Sequence, residues 1–106
     1  SSGNSFVHET ESQVILNGSY NINFTMDLVL KDTGLFDELA KKLNAPLEIS
    51  PKIVEIFKDG QKKYGSRAWS SMIVKRMEDL NKIDFRAEGF PEELTDNEPE
   101  EKGYEI

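Results

Sequence analysis

The sequence predicts an all-α domain of about four helices, followed by an extended acidic tail. Apolar residues recur with the 3.6-residue period of an α-helix in four successive segments. Residues that cap or end helices separate these segments, and the last part of the chain is too highly charged to fold alone. At 106 residues, the chain is long enough for one domain with a modest core.

The first predicted helix begins at Phe6 and ends at Asn17-Gly18, because a glycine after the last apolar residue is a common helix stop. The run Val14-Ile15-Leu16 is also compatible with a strand, so both assignments stay open. An opening of Ser1-Ser2-Gly3 without a core element before it suggests that upstream residues are missing, although processing of a complete small protein would give the same start. Four apolar residues fit one side of the helix: Phe6, Val7, Val14 and Ile15.

The second predicted helix is the centre of the chain and runs from Phe24 to about Leu43. A helix that is apolar on two adjoining faces is typically deeply buried, so we expect this one to be the core helix. Its two apolar lines, read at 3.6 residues per turn, are Phe24, Leu28, Leu35 and Leu39, and Val29, Phe36, Ala40 and Leu43.

A charged pair, Lys31 and Asp32, interrupts these apolar faces. Charged side chains almost never enter such faces without a partner, because removing an ion from water is expensive. One interpretation is that Lys31 lays its methylene groups along the core and extends its ammonium group to water. The other is that Lys31 stands at a cavity wall and binds an anionic ligand.

Two further helices are predicted after an extended link that contains Pro46. Ser50-Pro51 predicts an N-cap followed by proline at the first helical position, and Tyr64-Gly65 predicts the end of this third helix. The third helix has the apolar face Ile53, Val54, Ile56 and Phe57. The clearest amphipathic pattern of the chain predicts the fourth, through Trp69, Met72, Ile73, Met77 and Leu80.

The net charge of −7 belongs to the end of the chain. Residues 91–106 contain seven acids and one base, whereas the first 90 residues contain 13 acids and 12 bases. Neither part has the basic face of a nucleic-acid binder. The basic group Lys58, Lys62, Lys63 and Arg67 has the spacing of a solvated helix face.

Several classes of chemistry lack their residues in this sequence. There is no cysteine and only one histidine, His8, so we expect no disulfide and no metal site. No apolar run approaches the roughly 20 residues of a membrane span, and no signal-peptide pattern opens the chain. The lack of cysteine fits a reducing compartment, and the expected location is cytoplasmic. No nucleophile elbow and no glycine-rich dinucleotide motif is present.

Three motifs in a fixed order carry a resemblance to a known family: Phe24-x6-Lys31-Asp32, Leu43-Asn44-Ala45-Pro46-Leu47 and Tyr64-Gly65-x3-Trp69-Ser70-Ser71-Met72-Ile73. Over residues 1–82 the chain resembles the helical C-terminal domain of the β-hydroxyacid dehydrogenases. These are the relatives of 3-hydroxyisobutyrate dehydrogenase that share architecture with 6-phosphogluconate dehydrogenase. The resemblance therefore implies a helical domain of the 6-phosphogluconate dehydrogenase-like type.

The resemblance implies an enzyme that moves a hydride between NAD or NADP and a 3-hydroxy acid or its semialdehyde. It implies that Lys31 contacts the cofactor and that Asp32 and Phe24 line the substrate side of the cleft. The family's catalytic lysine and its Rossmann domain are absent, so no catalytic residue is expected in this chain, and the chain alone should be inactive. Ala68 stands where the family usually has an acidic residue.

The resulting domain prediction assigns residues 1–83 to a fragment of this C-terminal cleft and dimerisation domain and residues 84–106 to the acidic tail. The expected partners are the missing N-terminal Rossmann domain, the hydroxy acid substrate and further copies of the protein. Neither nucleic acid nor a membrane is expected as a partner. The alternative is a small helical protein-interaction module with an acidic tail, and a bare regulatory fragment is a third possibility.

Overall fold

The structure is a computed structural model that describes residues 2–90. Within those residues it contains four α-helices, one short 3₁₀ helix and no strand. The prediction of an all-α fold with about four helices is therefore confirmed. Of the tail predicted for residues 84–106, residues 91–106 lie outside the described residues. The helices are α1 (Phe6–Asn17), α2 (Met26–Lys42), α3 (Ser50–Tyr64), the 3₁₀ helix (Ser70–Val74) and α4 (Lys75–Asn81).

Helix α1 has the two ends that its sequence predicts. The Ser5 hydroxyl accepts a hydrogen bond from the His8 backbone N–H at 3.0 Å, which satisfies a donor in the first turn. Gly18 ends the helix with a left-handed φ of 85°, and its N–H donates to the Ile15 carbonyl. The strand alternative for Val14-Ile15-Leu16 is wrong, because this run lies inside the helix with Val14 fully buried.

Helix α2 begins at Met26 and not, as the sequence predicted, at Phe24. Thr25 is extended and pairs with Trp69 in an isolated antiparallel bridge. The backbone N–H groups of Met26 and Asp27 then donate to the carbonyl groups of Ala68 at 2.9 Å and Ser66 at 3.0 Å. The loop before the 3₁₀ helix thus satisfies the first donors of α2 and fixes where the helix starts.

The expectation that α2 is deeply buried is wrong for the described residues. Only Met26 and Ala40 are buried on this helix. Among the described elements its main neighbour is α3. Four large side chains of the two predicted apolar lines are each more than half exposed: Leu35, Phe36, Leu39 and Leu43.

Helix α3 spans the predicted residues, but its start differs in detail. Ser50 is its first residue, and its hydroxyl donates to Asp37 Oδ1 on α2 at 2.6 Å and does not cap the helix. Gly60 is the buried residue of α3. A Cβ atom at Gly60 would lie 2.6 Å from Ile73 Cδ1 and 3.2 Å from Met26 Sδ, so α2, α3 and the 3₁₀ helix meet in close contact there.

The amphipathic segment after Trp69 divides into two elements and does not form one helix. The Ser70 N–H donates to the Phe24 carbonyl at 2.7 Å, and the buried Ser71 hydroxyl donates to Glu11 Oε2 on α1 at 2.8 Å. These bonds to distant segments hold the 3₁₀ helix, and α4 continues from it. No helix among the described residues is long and apolar enough to cross a bilayer.

Candidate functional site

Lys31 lies on α2 with its side chain exposed to solvent. Within residues 2–90, no carboxylate lies within 4.0 Å of its ammonium group. The lysine is therefore solvated in this chain, and its charge is available to a ligand. Asp32 is also exposed, and no ion pair joins it to Lys31. Adjacent residues on a helix point about 100° apart, which accounts for that separation.

A groove of about 510 Å³ runs between α2 and α3, and Lys31 lies on its wall. Lys41 from α2 and Lys58 from α3 line the same groove, so three lysines face one concave surface. Within residues 2–90, none of the three forms an ion pair. The groove is lined by Asp27, Leu30, Lys31, Gly34, Asp37, Glu38, Lys41, Val54, Lys58 and Gln61.

Two of the three acidic residues in this groove already have partners. Asp27 accepts hydrogen bonds from the Thr25 hydroxyl and from Arg67 Nη1, the latter at 3.2 Å. The Thr25 hydroxyl, and after it Arg67, hold the pKa of Asp27 below its ordinary value, so this carboxylate stays ionised. Asp37 accepts the Ser50 hydroxyl. Two carboxylates of the groove thus have partners within the chain, whereas its three lysines form no ion pair within residues 2–90.

Phe24 lies in the extended segment before α2 and is 37% exposed. Phe24 therefore lies outside the helix that carries Lys31, and it does not continue the apolar line of α2 that the sequence predicted. The backbone of Phe24 is nevertheless fixed, because its carbonyl accepts the Ser70 N–H and the next residue pairs with Trp69. The roles of Phe24, Lys31 and Asp32 toward a cofactor or substrate stay predictions.

The sequence did not reveal a second polar cluster, formed by Tyr20, Glu78 and Arg86. Glu78 is 1% exposed and accepts hydrogen bonds from the Tyr20 hydroxyl and from Arg86 Nη1, the latter at 3.2 Å. Burial alone would raise the pKa of Glu78, but these bonds and one from the Phe85 N–H outweigh it and hold the pKa below the ordinary value. Tyr20 stands 58 residues before Glu78 in the sequence, so no local pattern joins the two.

A family model described as the NAD-binding domain of NADP-dependent 3-hydroxyisobutyrate dehydrogenase matches residues 1–77. The chain belongs to this family. It thus corresponds to part of an NAD-binding dehydrogenase of the hydroxyacid dehydrogenase type. The resemblance drawn from the three motifs is confirmed, and so is NAD or NADP as the cofactor of the complete enzyme.

Among curated proteins, 2-(hydroxymethyl)glutarate dehydrogenase of Eubacterium barkeri is 32% identical to this chain over 84 residues. The matched region covers 78% of this chain but 28% of that relative. The chain therefore spans less than a third of the length of this dehydrogenase. No solved structure matches the chain at a significant level.

Proposed function

We propose that this chain is the C-terminal part of an enzyme that transfers a hydride between NAD(P) and a 3-hydroxy acid or its semialdehyde. The observation that carries the proposal is Lys31. It is an exposed lysine without an ion pair among residues 2–90, on the wall of a groove, within a segment that matches an NAD-binding family.

In this proposal Lys31 binds a polar or anionic group of the cofactor. A hydrogen bond from an ammonium group is charge-assisted and is stronger than one between neutral groups. Phe24 and Asp32 line the substrate side of the same cleft. The catalytic lysine and the Rossmann domain belong to the remainder of the enzyme, so the isolated chain does not turn over substrate.

The exposed apolar surface of α2 supports the proposal that further protein packs against this chain. Contiguous exposed apolar patches are uncommon on monomeric soluble proteins and typically mark an interface. We propose that the remainder of the same enzyme covers Leu35, Phe36 and Leu39, since the matched region accounts for only 28% of the related dehydrogenase. Association into homo-oligomers and a cytoplasmic location stay predictions.

Substitution of Lys31 in the complete enzyme tests the proposal. We expect Lys31→Ala to weaken cofactor use by roughly 1–3 kcal/mol, because a hydrogen bond from a charged group is lost. The measurement is kcat/KM for NAD and for NADP with 3-hydroxyisobutyrate and 2-(hydroxymethyl)glutarate as substrates. Lys42→Ala is the matched control, since Lys42 is an exposed lysine of the same helix that does not line the groove, and we expect no change in it.

Unchanged cofactor kinetics in Lys31→Ala would remove Lys31 from the cofactor site. A complete protein that reduces neither NAD nor NADP with any 3-hydroxy acid would overturn the dehydrogenase proposal. In that case the interaction module, which the exposed face of α2 also fits, becomes the better account.

A further inference from the structure

The buried carboxylate of Glu78, on α4, is bound by two other parts of the chain. The Tyr20 hydroxyl comes from the loop after α1, and the Phe85 N–H at 3.3 Å and Arg86 Nη1 at 3.2 Å come from the segment after α4. A buried carboxylate is costly unless its hydrogen bonds are satisfied, so these three partners hold one another in place. We name residues 82–90 the clasp.

The clasp also completes the C-terminal end of α1. That helix has no basic residue in its last turn. Arg86 Nη1 donates to the Ile15 carbonyl at 3.4 Å, and the Ala87 N–H donates to the Leu16 carbonyl at 3.0 Å. A cation beside the last carbonyl groups of a helix is favourable because of the helix dipole. Arg86 therefore supplies the charge that α1 lacks, from about 70 residues further along the chain.

Arg86 contacts Tyr20 in two further ways. Its Nη2 donates to the Tyr20 hydroxyl at 2.9 Å, and its Cζ lies 5.2 Å from the centre of the tyrosine ring, within the range of a cation–π interaction. The Tyr20 side chain is 5% exposed. The guanidinium group thus contacts both the ring and the hydroxyl of a nearly buried tyrosine.

The loop that carries Tyr20 has an unfavourable backbone and needs support from outside. Tyr20 has a left-handed φ angle of 56°, which residues other than glycine adopt reluctantly, and Asn23 has one of 61°, which asparagine tolerates better than most residues. Two hydrogen bonds between backbone groups hold the loop, from the Tyr20 N–H to the Val14 carbonyl at 3.0 Å and from the Ile22 N–H to the Tyr20 carbonyl at 2.8 Å. The side chain of Tyr20 is anchored by Glu78 and Arg86.

The same loop leads directly to Phe24 and the start of α2. Only three residues separate Tyr20 from Phe24. The Ser70 N–H holds Phe24 from the side of α2. We propose that the clasp, with Arg86 as its positioning residue, fixes this loop from the side of α1 and thereby completes the placement of Phe24 beside α2. The consequence for catalysis rests on the proposed function, in which Phe24 lines the substrate cleft.

Amide hydrogen exchange of the 106-residue chain tests the clasp directly. In Arg86→Ala we expect the Tyr20 and Ile22 amides to exchange at least tenfold faster, while the Gly65 amide at the end of α3 changes less than twofold. Arg86→Lys keeps the charge without the guanidinium fork, so we expect an intermediate increase at the same amides. Glu88→Gln is the matched control, because Glu88 is an exposed residue of the clasp, and we expect no change in it.

Two exchange results would overturn the clasp. One is unchanged exchange at Tyr20 and Ile22, and the other is an equal acceleration at Gly65, which would mean that Arg86 contributes only to overall stability. If Arg86→Ala does not fold, Arg86→Lys decides the question. Its Tyr20 and Ile22 amides must then exchange faster than its Gly65 amide, relative to the unmodified chain.

Kinetics of the complete enzyme test the link to the cleft. We expect Arg86→Ala to raise KM for the hydroxy acid at least fivefold, with kcat and the KM for the cofactor within twofold, and Arg86→Lys to restore part of the loss. An unchanged KM despite faster loop exchange would overturn the link to Phe24. If the unmodified complete protein shows no hydride transfer, the proposed function fails, and the exchange result still decides the clasp.

Discussion

The cluster around Glu78 and the exposed face of α2 differ in how far the described chain supplies partners for their side chains. Beside α1, a carboxylate is buried, and Tyr20, Phe85 and Arg86 satisfy it. Among the described residues that are not exposed, no buried side-chain nitrogen or oxygen lacks a hydrogen-bond partner. On α2, by contrast, large apolar side chains are exposed and Lys31 has no ion pair within residues 2–90. In the first region the chain itself supplies the hydrogen-bond partners. In the second region the side chains are exposed and can contact another molecule or another part of the enzyme.

The largest expected effect compares two apolar residues of α2. Met26 is fully buried beside Gly60, whereas Leu39 is more than half exposed. Met26→Ala should lower the free energy of unfolding by about 3 kcal/mol, because it leaves a cavity in the core. Leu39→Ala should change it by less than about 0.5 kcal/mol in this chain. Urea unfolding of both variants measures the difference, and equal losses would contradict the assignment of an inner and an outer side to α2.

An intermediate effect is expected at the buried carboxylate. Glu78→Gln should lower the free energy of unfolding by about 2 kcal/mol at pH 7, because hydrogen bonds to a charged group are replaced by weaker ones. The hydrogen bonds that overcome the burial of Glu78 lower its pKa in the folded state. Its contribution to stability is therefore fully present above the ordinary glutamate pKa of 4.5 and is lost as the pH falls through the lower folded pKa.

Urea unfolding of the unmodified chain between pH 7 and pH 3 should accordingly show a falling stability that is shallower in Glu78→Gln. Identical pH profiles for the two proteins would show that Glu78 does not carry this dependence. The carboxylates of Asp27, Asp59 and Asp79, whose pKa values are also lowered, should keep part of the slope in the variant.

The smallest expected effect is at the rim of the groove. Arg67 pairs with Asp27 at 3.2 Å, but the arginine side chain is 78% exposed. Exposed ion pairs contribute little, so Arg67→Ala should lower the free energy of unfolding by no more than about 0.5 kcal/mol. Thermal unfolding at low and high salt measures the loss. A loss of unfolding free energy as large as that of Glu78→Gln would contradict the description of Arg67–Asp27 as a weak, exposed ion pair.

The parts of the fold that were predicted correctly depend on local signals. Gly18 and Gly65 end their helices because each of them takes up a positive φ directly after the last helical residue. The start of α2 was predicted two residues too early, because carbonyl groups of Ser66 and Ala68 determine it from about 40 residues away. A periodic pattern shows only which residues share a face and carries no record of such distant partners.

The candidate site divides in the same way. The three motifs together, one of which contains Lys31, predicted the family, which the comparison confirms over residues 1–77. The burial of α2 was predicted wrongly, because an apolar pattern shows that a face is suited to be covered and not where the covering residues lie. The cluster around Glu78 was missed because Tyr20 and Glu78 are 58 residues apart in the sequence.

The bridge between Thr25 and Trp69 has a practical consequence. Trp69 is the only tryptophan of the 106 residues. It pairs with Thr25, which lies between Phe24 and the first residue of α2. The chain therefore contains a natural fluorophore at the point where the extended segment becomes the helix that carries Lys31. The fluorescence emission of Trp69 reports on this position without a chemical label. A titration of the protein with a reduced nicotinamide can therefore be followed by intrinsic tryptophan fluorescence.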